Sequence, residues 1–183
     1  MKKIYEFLRK VDRLKEIPRS GWLLCGMPSY AVENVCEHSF DVAVLSLLFI
    51  DAAKDLSERK ILKAALFHDL AESVITDVPS PVKNFFGHKN FDRIEREVLQ
   101  NIVEKLPDEK IKIIEDIFEL NQKEKQFLRD VDLLSILIRC SEYYKKFRCE
   151  ELKKMFLKVS EELKNSNFEE IKMFSKYIQS ITI

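Results

Sequence analysis

The chain has 183 residues, of which 46% are hydrophobic, so its length predicts one domain whose core needs no disulfides. Lysine and arginine together number 31, as do aspartate and glutamate. No overall positive charge is therefore available to attract a nucleic acid or a membrane surface. The longest nearly unbroken apolar run, residues 42–50, is far shorter than the roughly 18 residues that cross a bilayer. We expect a small-molecule ligand and neither a nucleic-acid nor a membrane partner.

The N-terminal segment and the cysteines predict a cytoplasmic protein. Residues 1–17 carry charges along an amphipathic pattern instead of the uncharged core of a signal peptide, which predicts a helix of the mature protein. The cysteines show neither short paired spacing nor the density of a secreted scaffold, so we expect reduced thiols. They are Cys25, Cys36, Cys140 and Cys149.

Only three glycines and five prolines interrupt the chain, and few segments alternate as strands do, which predicts an all-α fold. Irregular segments are predicted at 17–29 and 76–88, and Ser57 and Asn121 are expected to cap the helices that follow them. The predicted helices cover residues 2–16, 31–54, 58–73, 90–105, 108–120, 122–146, 149–164 and 167–181.

The stretch "LKAALFHDLAES", residues 62–73, combines a core-forming pattern with three polar residues. Its apolar residues recur at three-four spacing, which predicts a helix with one buried face. Within such a helix His68 and Glu72 lie on the same face. Asp69 is the next residue after His68 and lies beside that face. A divalent cation could bind these side chains.

Two other predicted helices also carry metal-binding residue types. The helix over 31–54 is nearly all apolar after residue 41, and His38 in its N-terminal part is expected to enter the core. In the helix over 122–146, Asp132 has apolar residues four positions to either side, so it belongs to an apolar stripe and is costly to bury alone. Asp130 has a glutamine four residues before it, which predicts that it lies nearer a polar edge of this helix. Asp130 is therefore the weaker candidate for a metal ligand.

Each of these residues alone has a simpler interpretation. A lone core histidine more often bonds a carbonyl than a metal, a lone aspartate is more often paired or a cap, and His68 with Asp69 could end a helix at the surface. The coincidence of two imidazoles and two carboxylates favours a shared metal site. The remaining histidine, His88, is predicted to be solvated in a loop and is not counted among the ligands.

These residues resemble those of a known family. "EHS" at 37–39, "HDLAE" at 68–72 and an aspartate on a later helix are similar to the HD-domain metal-dependent phosphohydrolases. The longer "HDLAESVITDVPSPVK" and "RSGW" resemble the branch of bacterial 5'-deoxynucleotidases and their eukaryotic relatives. The resemblance implies a single HD-type helical bundle, with an HD core at about 31–148 and C-terminal helices at 149–181. It also implies a homodimer and nucleoside 5'-monophosphate substrates, with deoxyribose preferred.

The resemblance also implies roles for particular residues. Glu72 and Asp77 match catalytic carboxylates, Arg19 matches the residue that orients the phosphate, and Trp22 matches an aromatic beside the nucleoside. Bacterial members place the arginine and tryptophan side by side, whereas two residues separate them here. The matched metal ligands are His38, His68, Asp69 and Asp132. The matched substrate-contacting turn is formed by Asp77, Val78, Pro79 and Ser80.

Several points stay open on sequence alone. Lys83 could approach the phosphate or be a solvated surface lysine. The ligand set admits manganese, cobalt, iron, nickel or zinc, and Glu72 and Asp77 could instead hold a second cation such as magnesium. Which of these two carboxylates acts as base or acid is not determined.

Two functions other than hydrolysis of nucleoside 5'-monophosphates fit the sequence less well. Relatives that hydrolyse guanosine polyphosphates typically follow the catalytic Glu with Asp, where this chain has Ser73, and the Gly-Tyr-Pro signature of the cyclic-dinucleotide branch is absent. A non-catalytic helical binding module stabilised by metal is the other alternative. The presence of both Glu72 and Asp77 argues against it, because a structural site needs neither.

Overall fold

The structure, a computed structural model, describes the backbone of residues 1–183 and every side chain except those of Ala52 and His88. The α-helices are α1 (Lys2–Arg13), α2 (Ser20–Leu24), α3 (Val35–Phe49), α4 (Glu58–Phe67), α5 (Glu72–Ile75), α6 (Ser80–Phe86), α7 (His88–Val103), α8 (Asp108–Ile114), α9 (Gln122–Phe147), α10 (Glu150–Lys164) and α11 (Glu169–Ser180). The 3₁₀ helices are Leu14–Glu16, Ser29–Ala31, Ile50–Ala52 and Glu115–Glu119. The described backbone contains no β-strand, which confirms the all-α prediction.

The predicted helix over 58–73 is wrong in its second half. Helix α4 ends at Phe67, and α5 begins only at Glu72. Between them the backbone forms the shorter i to i+3 hydrogen bonds of a tight turn. The Leu70 N–H donates to the Phe67 carbonyl at 3.1 Å, and the Glu72 N–H donates to the Asp69 carbonyl at 3.0 Å. His68 and Glu72 therefore do not share the face of one continuous helix.

The chain forms two compact units, and the first comprises Met1–Phe40 and Leu66–Glu119. Its irregular stretches contain α2 and α6, which the sequence pattern did not predict. The core residues include Leu14, Ile17, Val35, Leu70, Ala71, Leu99, Ile102, Val103 and Leu106. Each large apolar side chain buried in this way contributes roughly 1.5–3 kcal/mol. This core holds the turn between α4 and α5 in place.

The second unit comprises Asp41–Ala65 and Leu120–Ile183, and α9, α10 and α11 pack on one another within it. Helix α9 begins at the predicted cap, where Asn121 and Glu124 form a reciprocal capping box. The Phe127 and Phe168 rings meet edge to face, with centroids 5.2 Å apart. No helix in the described part of the chain has the length and apolar character needed to cross a membrane. The single-domain organisation stays a prediction.

The burial of Asp130 on α9 differs from the prediction. Asp130 is only 3% exposed, and its carboxylate accepts hydrogen bonds from Ser166 at 2.5 Å and Gln126 at 2.7 Å. Asp132 is half-buried. The expectation that Asp130 lies nearer a polar edge is therefore wrong, because the turn between α10 and α11 covers it and supplies Ser166. Asp130 joins helices within this unit.

Candidate active site

The start of α3 places His38 in the core of the first unit. Asn34 and Glu37 form a reciprocal pair of hydrogen bonds at 2.9 Å that caps the helix. The backbone N–H of Val35 donates to the Ile17 carbonyl at 2.9 Å, which ties the cap to the preceding segment. His38 lies on the first turn of α3 and is fully buried. The prediction that this histidine enters the core is confirmed.

The turn after α4 brings a second imidazole and a carboxylate to His38. The Nε2 atoms of His38 and His68 lie 3.9 and 3.2 Å from Oδ2 of Asp69. The two rings are 5.6 Å apart between centroids. One ligand atom from each of the three residues falls within 4.8 Å of the others.

This geometry fits a divalent metal ion. Two ligands that each lie about 2.1 Å from one ion are at most about 4.2 Å apart, and both Nε2–Oδ2 distances satisfy that limit. Two imidazoles with a carboxylate form a donor set suited to first-row transition metals. Although burial acts to raise it, His68, Arg19 and His38 hold the pKa of Asp69 below its usual range. The carboxylate is thus in the ionised form that metal binding requires.

Arg19 connects this cluster to two further carboxylates. Its backbone N–H donates to the Glu33 carbonyl at 3.0 Å, which fixes the segment before α2. One guanidinium nitrogen, Nη1, lies 3.1 Å from Asp69, 3.1 Å from Asp77 and 3.6 Å from Glu72. All four side chains are largely buried. Three carboxylates thus converge on one guanidinium, an arrangement that favours additional positive charge.

A strained residue and Ser20 together set the position of Asp77. Thr76 ends α5 with φ of 65°, a conformation that costs a β-branched residue about 1–3 kcal/mol. The next residue, Asp77, turns its carboxylate toward α2, where the Ser20 hydroxyl donates to Oδ2 at 2.6 Å and the Ser20 backbone N–H donates to the same oxygen. Arg19 donates to the other oxygen. Both carboxylate oxygens are therefore held in place.

Glu72 is the most deeply buried carboxylate of the site, with 3% exposure. Burial, together with the charges of Asp69 and Asp77, raises the pKa of Glu72 to about 10, although Arg19 opposes this shift. Among the described groups, none donates a hydrogen bond to its buried Oε2 atom. An acceptor buried without a donor is costly, which favours a water or a cation as the partner of Oε2.

The raised pKa predicts that Glu72 destabilises the metal-free protein at neutral and alkaline pH. The folded carboxyl keeps its proton up to a pKa of about 10, whereas the usual value is 4.5. Between these values the folded state binds more protons than the unfolded state, so stability falls as pH rises. Glu72→Gln removes this dependence. We expect the melting temperature of the chelated variant to exceed that of wild type at about pH 8, and by less at about pH 5. Equal differences at both pH values, measured by thermal unfolding, would contradict the prediction.

Trp22 is buried beside the site, with 3% exposure. Its indole N–H donates to Oε1 of Glu33 at 2.9 Å. This bond anchors α2 to the segment before α3. Sequence reasoning missed Glu33 and Ser20, although the carboxylate of Glu33, which follows the apolar Ala31 and Val32, could have been noted as a buried group.

The segment after Asp77 leads into α6. Val78 and Pro79 are half-buried and Ser80 is exposed. Lys83 on α6 donates to Glu95 at 2.7 Å and is itself 25% exposed. The alternative that Lys83 is merely a solvated lysine is therefore wrong.

Two sequence predictions are not tested by the geometry of the first unit. Asp132 belongs to the second unit, and its role as a ligand stays a prediction. The side chain of His88 lies outside the described part of the structure, so its exclusion from the ligands also stays a prediction.

The fold and this site together define the class of protein. An adjacent His-Asp pair, a second buried histidine and converging carboxylates in an all-helical chain are the features of HD-domain metal-dependent phosphohydrolases. The family described as 5'-deoxynucleotidase YfbR-like matches residues 6–181, and the chain belongs to it. The resemblance carried by residues 68–83 is thereby confirmed.

Several named relatives are similar over most of the chain. The protein is 30% identical to 5'-deoxynucleotidase hdd1 of Schizosaccharomyces pombe over 156 residues, 81% of this chain and 76% of the relative. It is 28% identical to 5'-deoxynucleotidase HDDC2 of Homo sapiens over 76% of this chain and 68% of the relative. It is 31% identical to a 5'-deoxynucleotidase of Klebsiella pneumoniae over 74% and 71% of the two chains.

Two solved archaeal structures share the fold. The PH0347 protein from Pyrococcus horikoshii OT3 superimposes with a TM-score of 0.73 at 27% identity, covering 95% of this chain and 97% of that one. A conserved hypothetical protein from Pyrococcus furiosus gives a TM-score of 0.76 at 26% identity, over 96% and 99% of the two chains.

Proposed function

We propose that this protein removes the phosphate from nucleoside 5'-monophosphates, with deoxyribose preferred, in a reaction that requires a divalent metal ion. The observation that carries the proposal is the convergence of Asp69, Glu72 and Asp77 on Arg19 beside the two imidazoles. The relatives named above are all called 5'-deoxynucleotidases, which supports the same substrate class.

The reaction explains why a cation and an arginine lie together. A phosphomonoester dianion repels a hydroxide nucleophile, and its uncatalysed hydrolysis is very slow. A divalent ion held by His38, His68, Asp69 and the proposed ligand Asp132 would supply hydroxide at neutral pH and neutralise phosphate charge. Arg19 presents a planar donor fork that can bind two phosphate oxygens. Its present bonds to Asp69 and Asp77 keep the guanidinium in the site.

The two remaining carboxylates divide the proton transfers in this proposal. Glu72 follows Asp69 by three residues, and its Oε2 atom is free to accept a proton from the attacking water. Positive charge beside it favours its ionised form, which is the form a base needs. Asp77 lies on the other side of Arg19. Once it has taken up a proton from solvent, it donates that proton to the departing 5'-oxygen. Trp22 lies beside the nucleoside in this proposal, and Val78, Pro79, Ser80 and Lys83 border the substrate.

The metal is held by four protein ligands in this proposal. Asp132 completes the set formed by His38, His68 and Asp69. Mixed nitrogen and oxygen donors suit manganese, cobalt, iron, nickel or zinc. A second cation at Glu72 and Asp77 would be a hard ion such as magnesium, because only oxygens are offered there.

The two aspartates of α9 are expected to separate metal binding from stability. Asp132→Ala loses bound metal and activity together, because a ligand is removed. Asp130→Ala keeps the metal but melts at a lower temperature, because Ser166 and Gln126 lose a buried acceptor. Elemental analysis and thermal unfolding of both variants test this. Full metal occupancy in Asp132→Ala shows that the fourth ligand is a different residue.

Substrate class is tested by phosphate release from deoxyribo- and ribonucleoside 5'-monophosphates, each assayed with single divalent metals after chelation. We expect turnover of the 5'-monophosphates and faster turnover of the deoxy forms. A matched set of 3'-monophosphates, guanosine polyphosphates and cyclic dinucleotides should be inert. Turnover confined to the last two compounds favours another HD hydrolase. No turnover of any compound, with metal bound, favours a metal-stabilised binding module.

We also place the protein in the cytoplasm as a homodimer. The described cysteines form no disulfide, which is consistent with a reducing compartment. Phe85 and Phe86 at the end of α6 are 84% and 59% exposed. Exposed adjacent aromatic rings favour a protein contact. Light scattering at micromolar concentration is expected to give twice the chain mass, and Phe85→Ser with Phe86→Ser is expected to give the monomer mass. A monomer mass for wild type contradicts the proposal.

A further inference from the structure

A concave groove outside the candidate active site lies in the first unit, between α1 and the C-terminal end of α7. This basic groove has a volume of about 350 Å³, within the range of small-molecule pockets. Its apolar lining residues are Phe7 and Ile102. Its charged lining residues are Lys3, Glu6, Arg9, Lys10, Arg13 and Lys105.

The charge of the basic groove is strongly one-sided. Five cationic side chains face one carboxylate, an excess of four positive charges in a chain whose net charge is zero. The carboxylate, Glu6, lies 3.9 Å from Lys2, which is not part of the lining. Among the described side chains, none of the five cations forms an ion pair with a carboxylate. Like charges held together around a concavity attract a multivalent anion.

The composition of the basic groove narrows the ligand class. Two arginines offer planar forks that match phosphate oxygens, and the lysines add point charges. Ile102 is 6% exposed and belongs to the core, whereas Phe7 is half-buried, so a planar base can contact the exposed part of Phe7. A cavity of this size accepts a small molecule, whereas a nucleic acid would need a basic face far larger than this groove.

The basic groove is physically connected to the candidate active site. The Phe7 ring meets the Phe67 ring edge to face, with centroids 6.0 Å apart. Phe67 is the last residue of α4, immediately before His68. Helix α1 also packs on α5, which begins at Glu72. A ligand that shifts α1 would therefore move the segments that carry the metal cluster and the buried carboxylate.

We infer that the basic groove binds a nucleoside triphosphate and that its occupancy changes turnover at the active site. The regulatory part of this inference rests on the proposed function, but the binding part does not. The shared ligand chemistry is a polyphosphate, so inorganic tripolyphosphate and ATP serve as the two probes. Tighter binding of ATP shows that the apolar surface is used, and equal binding contradicts a nucleoside ligand.

Binding is tested by calorimetry on the full-length protein in chelator, so that no metal bridges a probe to the active site. We expect one probe per chain. Arg9→Gln with Arg13→Gln is expected to weaken binding about tenfold or more, because charge-assisted hydrogen bonds are lost. Lys110→Gln with Lys112→Gln, an equal charge change on exposed positions of α8, is the matched control and is expected to bind as wild type does. Arg19→Ala is also expected to retain binding.

Several outcomes overturn the binding inference. They are unchanged affinity in the Arg9 and Arg13 double variant, loss of binding in Arg19→Ala, and failure of both probes to bind, whether or not vesicles of anionic phospholipid bind. The regulatory part is tested by phosphate release from a deoxynucleoside 5'-monophosphate, with the free metal concentration held constant as ATP is added. Unchanged turnover at saturating ATP overturns that part. If no nucleotide is hydrolysed in any condition, the proposed function fails. The calorimetry still tests whether the basic groove binds a nucleoside triphosphate.

Discussion

Glu72→Gln is expected to lower kcat by about 100-fold or more, the usual effect of losing a general base, while the protein keeps its metal and its affinity for nucleotide. The substitution preserves side-chain size, so the 3%-exposed pocket that holds Glu72 stays filled. It removes the group that accepts the proton from water. Single-turnover phosphate release, nucleotide titration and elemental analysis on the same preparation measure the three quantities.

The matched control for this variant is Glu97→Gln, which makes the same chemical change at a position 59% exposed on α7. It is expected to leave kcat unchanged. Full activity in Glu72→Gln shows that the base is a different group. Activity that returns when magnesium is raised shows instead that Glu72 is a ligand of a second cation. Asp77→Asn is expected to lower kcat similarly. If both carboxylates act on one proton-transfer chain, the double variant should lower kcat by less than the product of the two single reductions.

Asp69→Ala is expected to lose both metal and turnover. Asp69 contributes the only carboxylate to the cluster with His38 and His68 among the described residues of the first unit. Removing it leaves the two imidazoles and the proposed ligand Asp132, a set too weak to keep a divalent ion in the presence of chelator. Without the several kcal/mol that a metal contributes to phosphate transfer, kcat falls by about 1000-fold or more. The control, Asp92→Ala on the exposed surface of α7, is expected to keep both.

A structural effect must be separated from metal loss in this variant. Asp69 also accepts a hydrogen bond from Arg19, so circular dichroism and thermal unfolding accompany the elemental analysis. A folded Asp69→Ala protein that retains one metal per chain and wild-type turnover contradicts the assignment of Asp69 to the metal site.

The helices of the second unit were the most predictable part of the fold. Their apolar residues repeat at helical spacing, and local signals mark their ends, such as the capping box of Asn121 and Glu124. The residues of α9, α10 and α11 were therefore predicted to within a few positions. Residue type and family resemblance likewise indicated His38, His68 and Asp69, and the fold brings these three together.

The break between α4 and α5 could not be predicted, because no residue type in this segment indicates the end of a helix. Neither glycine nor proline occurs between Phe67 and Glu72, and the segment favours helix. The tight turn is stabilised instead by tertiary contacts of Leu70 and Ala71 with the core of the first unit. Tertiary packing has overridden local propensity here, and it has done so at the site itself.

The contacts that organise the carboxylates were equally hidden from sequence reasoning. Arg19 and Ser20 reach Asp77 across more than 50 residues of chain, and Lys83 reaches Glu95 on the next helix. The buried position of Asp130 depends on Ser166, which a pattern within α9 cannot reveal. Periodicity predicts which residues face inward, but it does not predict which distant groups they meet.

The central claim is that turnover depends on one metal held beside Glu72 and Arg19. Its most direct test is a titration of chelated wild-type protein with a single divalent metal, in which bound metal and phosphate release from a deoxynucleoside 5'-monophosphate are measured in the same samples. We expect phosphate release to rise in proportion to bound metal and to level off at one ion per chain. Phosphate release that is equal before and after metal addition, or a fully loaded protein that releases none, would contradict the claim.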